Sequence, residues 1–221
     1  MTIVDRDSPL AIAMWDFSWL ERHYEGGAYS DWGQILDELT VRGYNALRID
    51  PYPHLVSIDP YREWTLPPAF DAGDWGASTT AQVQVLPALV EFLEKCEDRD
   101  ISVALSSWFR EDSTNARRGI HAPRDLATVW IDLLDEIAEA GLLDTIAWVD
   151  LCNEFPHPDW APYFNRPEDD HSTSRRSPAS RRWVSESIAA VRDAYPGQAY
   201  CVSETAGPGK SWGESRNRRW I

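Results

Sequence analysis

Lysine is nearly absent from this chain: the 21 basic residues include only Lys95 and Lys210, and 36 acids leave a formal net charge of -15. Such a field repels phosphate backbones and anionic lipid, so nucleic acid and membrane surfaces are disfavoured as partners. Cysteine is scarce too. Cys96, Cys152 and Cys201 are odd in number and widely spaced, which excludes metal-finger and redox-pair spacings and predicts buried thiols in a reducing compartment. No apolar run approaches the length of a membrane span. The opening M-T-I-V-D-R-D-S-P-L carries acids where a signal peptide needs a basic and then an apolar region, so a cytoplasmic protein is expected. A Gly-rich phosphate turn is missing after the first strand, which counts against a dinucleotide-binding fold.

What the chain does have is tryptophan, twelve in 221 residues, together with an apolar share of 43% that fits one soluble domain with a sizeable core. Large aromatics fill the layers of a barrel, but twelve exceed what a small core absorbs. Some are expected to line a groove for a flat, weakly polar ligand, and sugar rings are the obvious class.

The stretch I-A-W-V-D-L-C-N-E-F-P-H-P, from Ile146 to Pro158, organises the rest. An apolar, β-branched run stops at Asn153 and Glu154, as a buried strand does when it delivers polar groups at its C-terminal end. In a parallel barrel that end is the active face, which makes Glu154 the leading candidate for a catalytic carboxylate and Asn153 its companion on a substrate hydroxyl. The competing assignment is a loop acid paired with an arginine.

Four more strands read the same way. Residues 11–19 form the first, with Trp15 and Asp16 near its mouth; residues 44–50 form the second, and strand period two puts Arg48 and Asp50 on one face. Residues 101–109 deliver Ser106, Ser107, Trp108 and Phe109, and residues 199–204 end in Glu204. Helices alternate with them: one capped by Ser30 or Asp31 and stopped by Gly43, one starting near Leu86 with residues 81–85 as a separate approach, one carrying Leu126, Val129, Trp130, Leu133 and Ile137 inward, and one capped by Ser180. Residues 52–80 read as a long connection without regular structure, of the kind that forms lids or binding walls, and Trp160 opens a polar loop positioned to flank a ligand beside Glu154.

Five strands alternating with four helices predict a parallel α/β fold, an incomplete (β/α)8 TIM barrel in one partial domain over residues 1–221, with 205–221 an irregular tail. The order of W-D-F at Asp16, L-R-I-D at Leu47 to Asp50, S-S-W-F at Ser106 to Phe109 and N-E at Asn153-Glu154 resembles the N-terminal half of a cellulase-like glycoside hydrolase, from the clan of barrels whose acid/base glutamate follows an Asn at the end of strand four. The resemblance implies Glu154 as acid/base, Asn153 on the 2-hydroxyl of the sugar and Arg48 orienting the nucleophile. It departs from the clan where Phe155 replaces a common Pro and where no His accompanies Ser106 and Ser107.

The clan's nucleophile, a second glutamate on strand seven, has no counterpart in this sequence, and a retaining cleavage needs two carboxyl groups about 5 to 5.5 Å apart. The expectation is therefore a truncated glycosidase with little activity alone and no cofactor, whose partners are a carbohydrate, a missing C-terminal half of the barrel, or a second copy meeting its open edges. Two other functions compete. One is a non-catalytic sugar-binding barrel in which Trp15, Trp64, Trp108 and Trp160 stack on sugar. The other, ranked last, is a metal-dependent isomerase or nuclease using Asp50, Glu154, His157 and Glu204 as ligands.

Overall fold

In a computed structural model, residues 9–13, 17–69, 79–155 and 178–203 are described. After a short 3-10 turn at Phe17–Trp19 come α1 (Trp32–Val41), β1 (Ala46–Ile49), α2 (Pro53–Ile58), β2 (Glu63–Leu66), β3 (Ala81–Gln84), α3 (Val85–Glu97), β4 (Ser102–Ser106), α4 (Pro123–Glu139), β5 (Ile146–Asp150), α5 (Pro178–Ala194) and β6 (Tyr200–Cys201). Short strands of continuous apolar residues separated by amphipathic helices can bury both sheet faces only in a parallel α/β arrangement.

The main sheet has the order β1-β4-β5-β6, with every pair parallel. Residues 11–13 extend it beyond β1: Ile12 bridges Ala46 in parallel, and the Ala13 amide donates to the Ala46 carbonyl at 2.8 Å. Each strand of this sheet thus lies beside the one that precedes it in the sheet's path along the chain, which is how the wall of a βα barrel is laid down. A register shift between Val103 and Ala104 gives β5 one residue more than β4 at that point, and such a bulge bends a sheet and sharpens its twist.

The helices follow their apolar periodicity. Asp31 caps α1, its carboxylate accepting the Gln34 amide at 2.9 Å, and Gly43 at φ +85° ends the segment as the left-handed stop the sequence predicts. Leu126, Val129, Trp130, Leu133 and Ile137 of α4 are all buried. Trp130 also bonds the sheet, its indole Nε1 donating to the Leu151 carbonyl at 3.0 Å just past β5.

Several expectations are corrected. The connection over residues 52–80 is not without regular structure: it holds α2, with Pro53 in its first turn, and the antiparallel pair β2-β3, in which Trp64 faces Val83. Pro53 starts a helix here because the first turn needs no amide at that position. Residues 81–84 are β3, running straight into α3, rather than an approach segment. Ser180 lies inside α5 and is buried, since Pro178 begins that helix. Among the described residues of the expected first strand, Ile12 makes the bridge to β1 and Phe17–Trp19 is a 3-10 turn, while residues 107–109 follow β4 rather than belong to it. All three cysteines are free thiols, but Cys201 is only partly buried.

His54, on α2, is buried against the exit of β4; its Nε2 donates to the Arg110 carbonyl at 2.9 Å. Burial lowers the imidazole from 6.5 to about 4, outweighing that hydrogen bond and the nearby Asp112 carboxylate. A basic group depressed by folding takes up a proton in the unfolded chain first, so its contribution to stability is intact above about pH 6.5 and is lost as pH falls toward 4. His54→Gln is expected to flatten that loss by roughly 3 kcal/mol between pH 7 and 4, measured as the difference between urea unfolding curves of the two proteins.

Candidate functional site

Polar groups gather where β1, β4, β5 and β6 end. Arg48 rises from β1, and its Nη2 lies 2.5 Å from Asp150 Oδ2, 2.5 Å from Ser106 Oγ, 2.6 Å from Asn153 Oδ1 and 3.1 Å from Ser203 Oγ. One guanidinium nitrogen has two hydrogens, so four oxygens share them. The two serine hydroxyls turn their own hydrogens to Asp150 Oδ2, at 2.8 Å from Ser106 and in a shorter bond from Ser203, while the Ser203 amide donates to Asp150 Oδ1 at 2.9 Å. Asp150 is fully buried, and its ion pair with Arg48 ties four neighbouring strands at one end of the sheet.

Beyond β5 the chain keeps strand-like bonding to both sides. The Leu151 amide donates to Cys201 O at 3.0 Å, Asn153 to Ser107 O at 2.8 Å and Phe155 to Ser203 O at 2.8 Å. Between the last two lies Glu154, at φ +53°. Tyr52 after β1 (φ +48°) and Phe109 after β4 (φ +50°) share that left-handed backbone. A β-carbon there costs about 1 kcal/mol or more, and such residues concentrate at functional rims.

Asn153 is 3% exposed, and its two amide ends differ: Oδ1 is taken by Arg48, while Nδ2 is buried without a partner among the described residues. Glu154 beside it is partly exposed and, among the described residues, makes no hydrogen bond or ion pair. A fixed, desolvated donor followed in the chain by a partly exposed carboxylate is a combination suited to a hydroxylated ligand.

A family profile described as sugar-binding cellulase-like matches residues 12–217. The chain belongs to that family. A crystal structure from Parabacteroides distasonis ATCC 8503, provisionally named a glycoside hydrolase, aligns at 46% identity and TM-score 0.84 over 91% of this chain and 53% of that one. A cellulase-inhibitor complex aligns at 15% identity and TM-score 0.51 over 87% of this chain and 50% of that one, a likeness of fold. This cellulase-like chain therefore spans about half the length of each of these proteins. No curated protein matches it.

Of the residues singled out from the sequence, Arg48 and Asn153 are in contact, with Glu154 next along the rim. Asp50 is fully buried, and its two oxygens accept backbone amides. Trp108 is 4% exposed, with the Arg48 guanidinium 5.2 Å from its ring centroid, and Trp64 is 1% exposed, so neither presents the open face that sugar stacking needs. Trp15, Asp16, His157, Trp160 and Glu204 lie outside the described residues. Asp150 and Ser203 went unremarked in the sequence. An acid three residues before Asn153, at the end of an otherwise apolar strand and followed by a leucine and a cysteine, gave a faint signal that something basic must meet it. Among the described residues no group of three or more His, Cys, Asp or Glu side chains is disposed to hold a metal ion, and no helix is long and apolar enough to cross a membrane.

The left-handed backbone at Glu154 offers a test. Glycine adopts that conformation without the β-carbon clash, so Glu154→Gly is expected to be about 1 kcal/mol more stable than Glu154→Ala in denaturant unfolding. Equal stabilities would show that the position carries no strain.

Proposed function

We propose that the rim at Arg48, Asn153 and Glu154 is a carbohydrate site of the glycoside hydrolase class, acting on O-glycosidic bonds. The observation that carries the reading is the divided amide of Asn153: one end held by Arg48, the other a buried donor awaiting an acceptor beside Glu154. A sugar hydroxyl satisfies that donor, and the ring it belongs to then stands against the Glu154 side chain. To Glu154 we assign the proton given to the leaving glycosidic oxygen and the proton taken from water afterwards. Arg48 does not reach substrate in this scheme; it fixes the rotamer of Asn153, and Asp150 fixes Arg48. The second carboxyl group of a retaining cleavage is assigned to no described residue, so the described part of the chain supplies the proton-transfer half of the chemistry. Membership of a sugar-binding cellulase-like family supports the ligand class, and the 46% identical glycoside hydrolase-like neighbour supports the reaction class.

Calorimetric titration with cellotetraose and related oligosaccharides tests the site. Asn153→Ala is expected to weaken binding about 10- to 100-fold, the equivalent of losing one buried hydrogen bond to a neutral or polarised partner. Glu154→Gln, by contrast, is expected to bind within a few-fold of the parent while any hydrolysis of cellotetraose, whose leaving sugar hydroxyl needs a proton, disappears. Unchanged affinity in Asn153→Ala would overturn the assignment. Hydrolysis surviving undiminished in Glu154→Gln would overturn the acid/base role of Glu154, whereas sugar binding with no hydrolysis in the parent would favour a non-catalytic sugar-binding barrel.

A further inference from the structure

We propose that Asp50 is a positioning residue for this rim: its buried carboxylate fastens the turn after β1 to the turn after β4, and through Trp108 sets the place of Arg48. The proposal rests on the reading of Arg48, Asn153 and Glu154 given above, and extends it to a residue with no route to the sugar.

Asp50 follows β1 directly and is completely buried. Its Oδ1 accepts the Tyr52 amide at 2.9 Å, and its Oδ2 accepts the Trp108 amide at 2.9 Å. Ser107 adds a third link, since its hydroxyl bonds Asp50 while its oxygen accepts the Phe109 amide at 2.9 Å. One carboxylate therefore holds, directly or through one hydroxyl, the amides of both left-handed residues at the exits of β1 and β4, Tyr52 and Phe109. Between them Trp108 is pinned by its own amide, with the Arg48 guanidinium 5.2 Å from its ring centroid. Arg48 in turn holds Asn153 Oδ1 at 2.6 Å. The line of force runs Asp50, Trp108, Arg48, Asn153, from the end of β1 by way of β4 to the end of β5.

An ionised carboxylate can accept at both oxygens with full strength, whereas a protonated one carries a hydrogen on one of them. Whether both turns are clamped, or one, follows the proton. Burial raises the Asp50 acid from 3.8 to about 7, against the hydrogen bonds from Trp108, Tyr52 and Ser107; the charge of Glu21, from the turn after Phe17–Trp19, raises it further. Cys152, beyond β5, also feels the Asp50 charge, but burial together with Asp150 and Asp50 raises its thiol far above neutrality, so it stays uncharged in this range. His54 titrates near 4, below the window in question.

The test is fluorine NMR of the chain labelled with 5-fluorotryptophan, the Trp108 signal being identified by its loss in Trp108→Phe, followed from pH 5 to 9 with and without cellotetraose. The Trp108 resonance is expected to move with a midpoint near pH 7 in the parent chain and to stay still in Asp50→Asn. Cellotetraose affinity in the parent is expected to fall several-fold from pH 8 to pH 5.5, and Asp50→Asn to show the weaker affinity at both. A Trp108 signal that does not titrate, or that titrates equally in Asp50→Asn, overturns the proposal. Should Asp50→Asn fail to fold, the parent titration still decides, because absence of a transition between pH 5 and 9 refutes it. Failure of the sugar reading looks different: cellotetraose then binds nowhere in the range, or binds without regard to Asn153, while the fluorine titration judges Asp50 by itself.

Discussion

A single charge pair, Arg48 with Asp150, governs the end of the sheet where the site lies. Bringing a carboxylate into a fully buried position costs several kcal/mol before any partner is counted, and the attraction of a guanidinium offsets that cost only when the remaining lone pairs are also occupied. Here they are: Ser106 and Ser203 donate to the same oxygen and the Ser203 amide to the other. The pair consequently needs four strands in register, because Arg48 comes from β1, Ser106 from β4, Asp150 from β5 and Ser203 from just beyond β6. A buried ion pair is weak support for stability but strong support for a particular arrangement, since any slip of register strands a charge. The arrangement it selects is the one that commits the Asn153 oxygen to Arg48 and leaves its buried amide nitrogen without a partner among the described residues.

That logic separates what could be read in the chain from what could not. The positions of β1, β4, β5 and β6 were legible because a short apolar run that ends in polar residues has few alternatives in an α/β protein. Arg48, Asn153 and Glu154 were legible because strand period and strand ends are local properties. Asp150 was not, since a lone acid two residues from the end of an apolar run takes its meaning from partners 44, 53 and 102 positions away. The β2-β3 pair was hidden for a similar reason: E-W-T-L and A-Q-V-Q alternate as strands should, yet too few residues alternate in each to outweigh the prolines around them. Tryptophan counting misled in one respect. Trp64 and Trp108 were expected at a sugar-facing surface, but an indole beside an arginine or at a strand centre is as readily buried, and only the packing of neighbouring elements distinguishes the two.

Two buried titratable groups show how the rim is set against the stability of the fold. His54 folds without its proton, so it makes the protein less stable as pH falls from about 6.5 to 4. Asp50 does the opposite. Its acid is raised from 3.8 to about 7, so between those values the folded chain holds a proton that the unfolded chain has released, and stability falls as pH rises through the same interval. The two slopes have opposite sign over overlapping ranges. The two contributions oppose each other through mild acid, so the stability of the chain does not by itself report the state of the Asp50 clamp. Above pH 7 the carboxylate is ionised at the expense of stability, and in that state both of its oxygens can hold the turns that carry Tyr52 and Trp108. The fold therefore tolerates a destabilising charge at the position from which the rim's backbone is fixed, because only a carboxylate accepts both backbone amides there: an amide of the same shape would set a donor against the N–H of Tyr52 or Trp108.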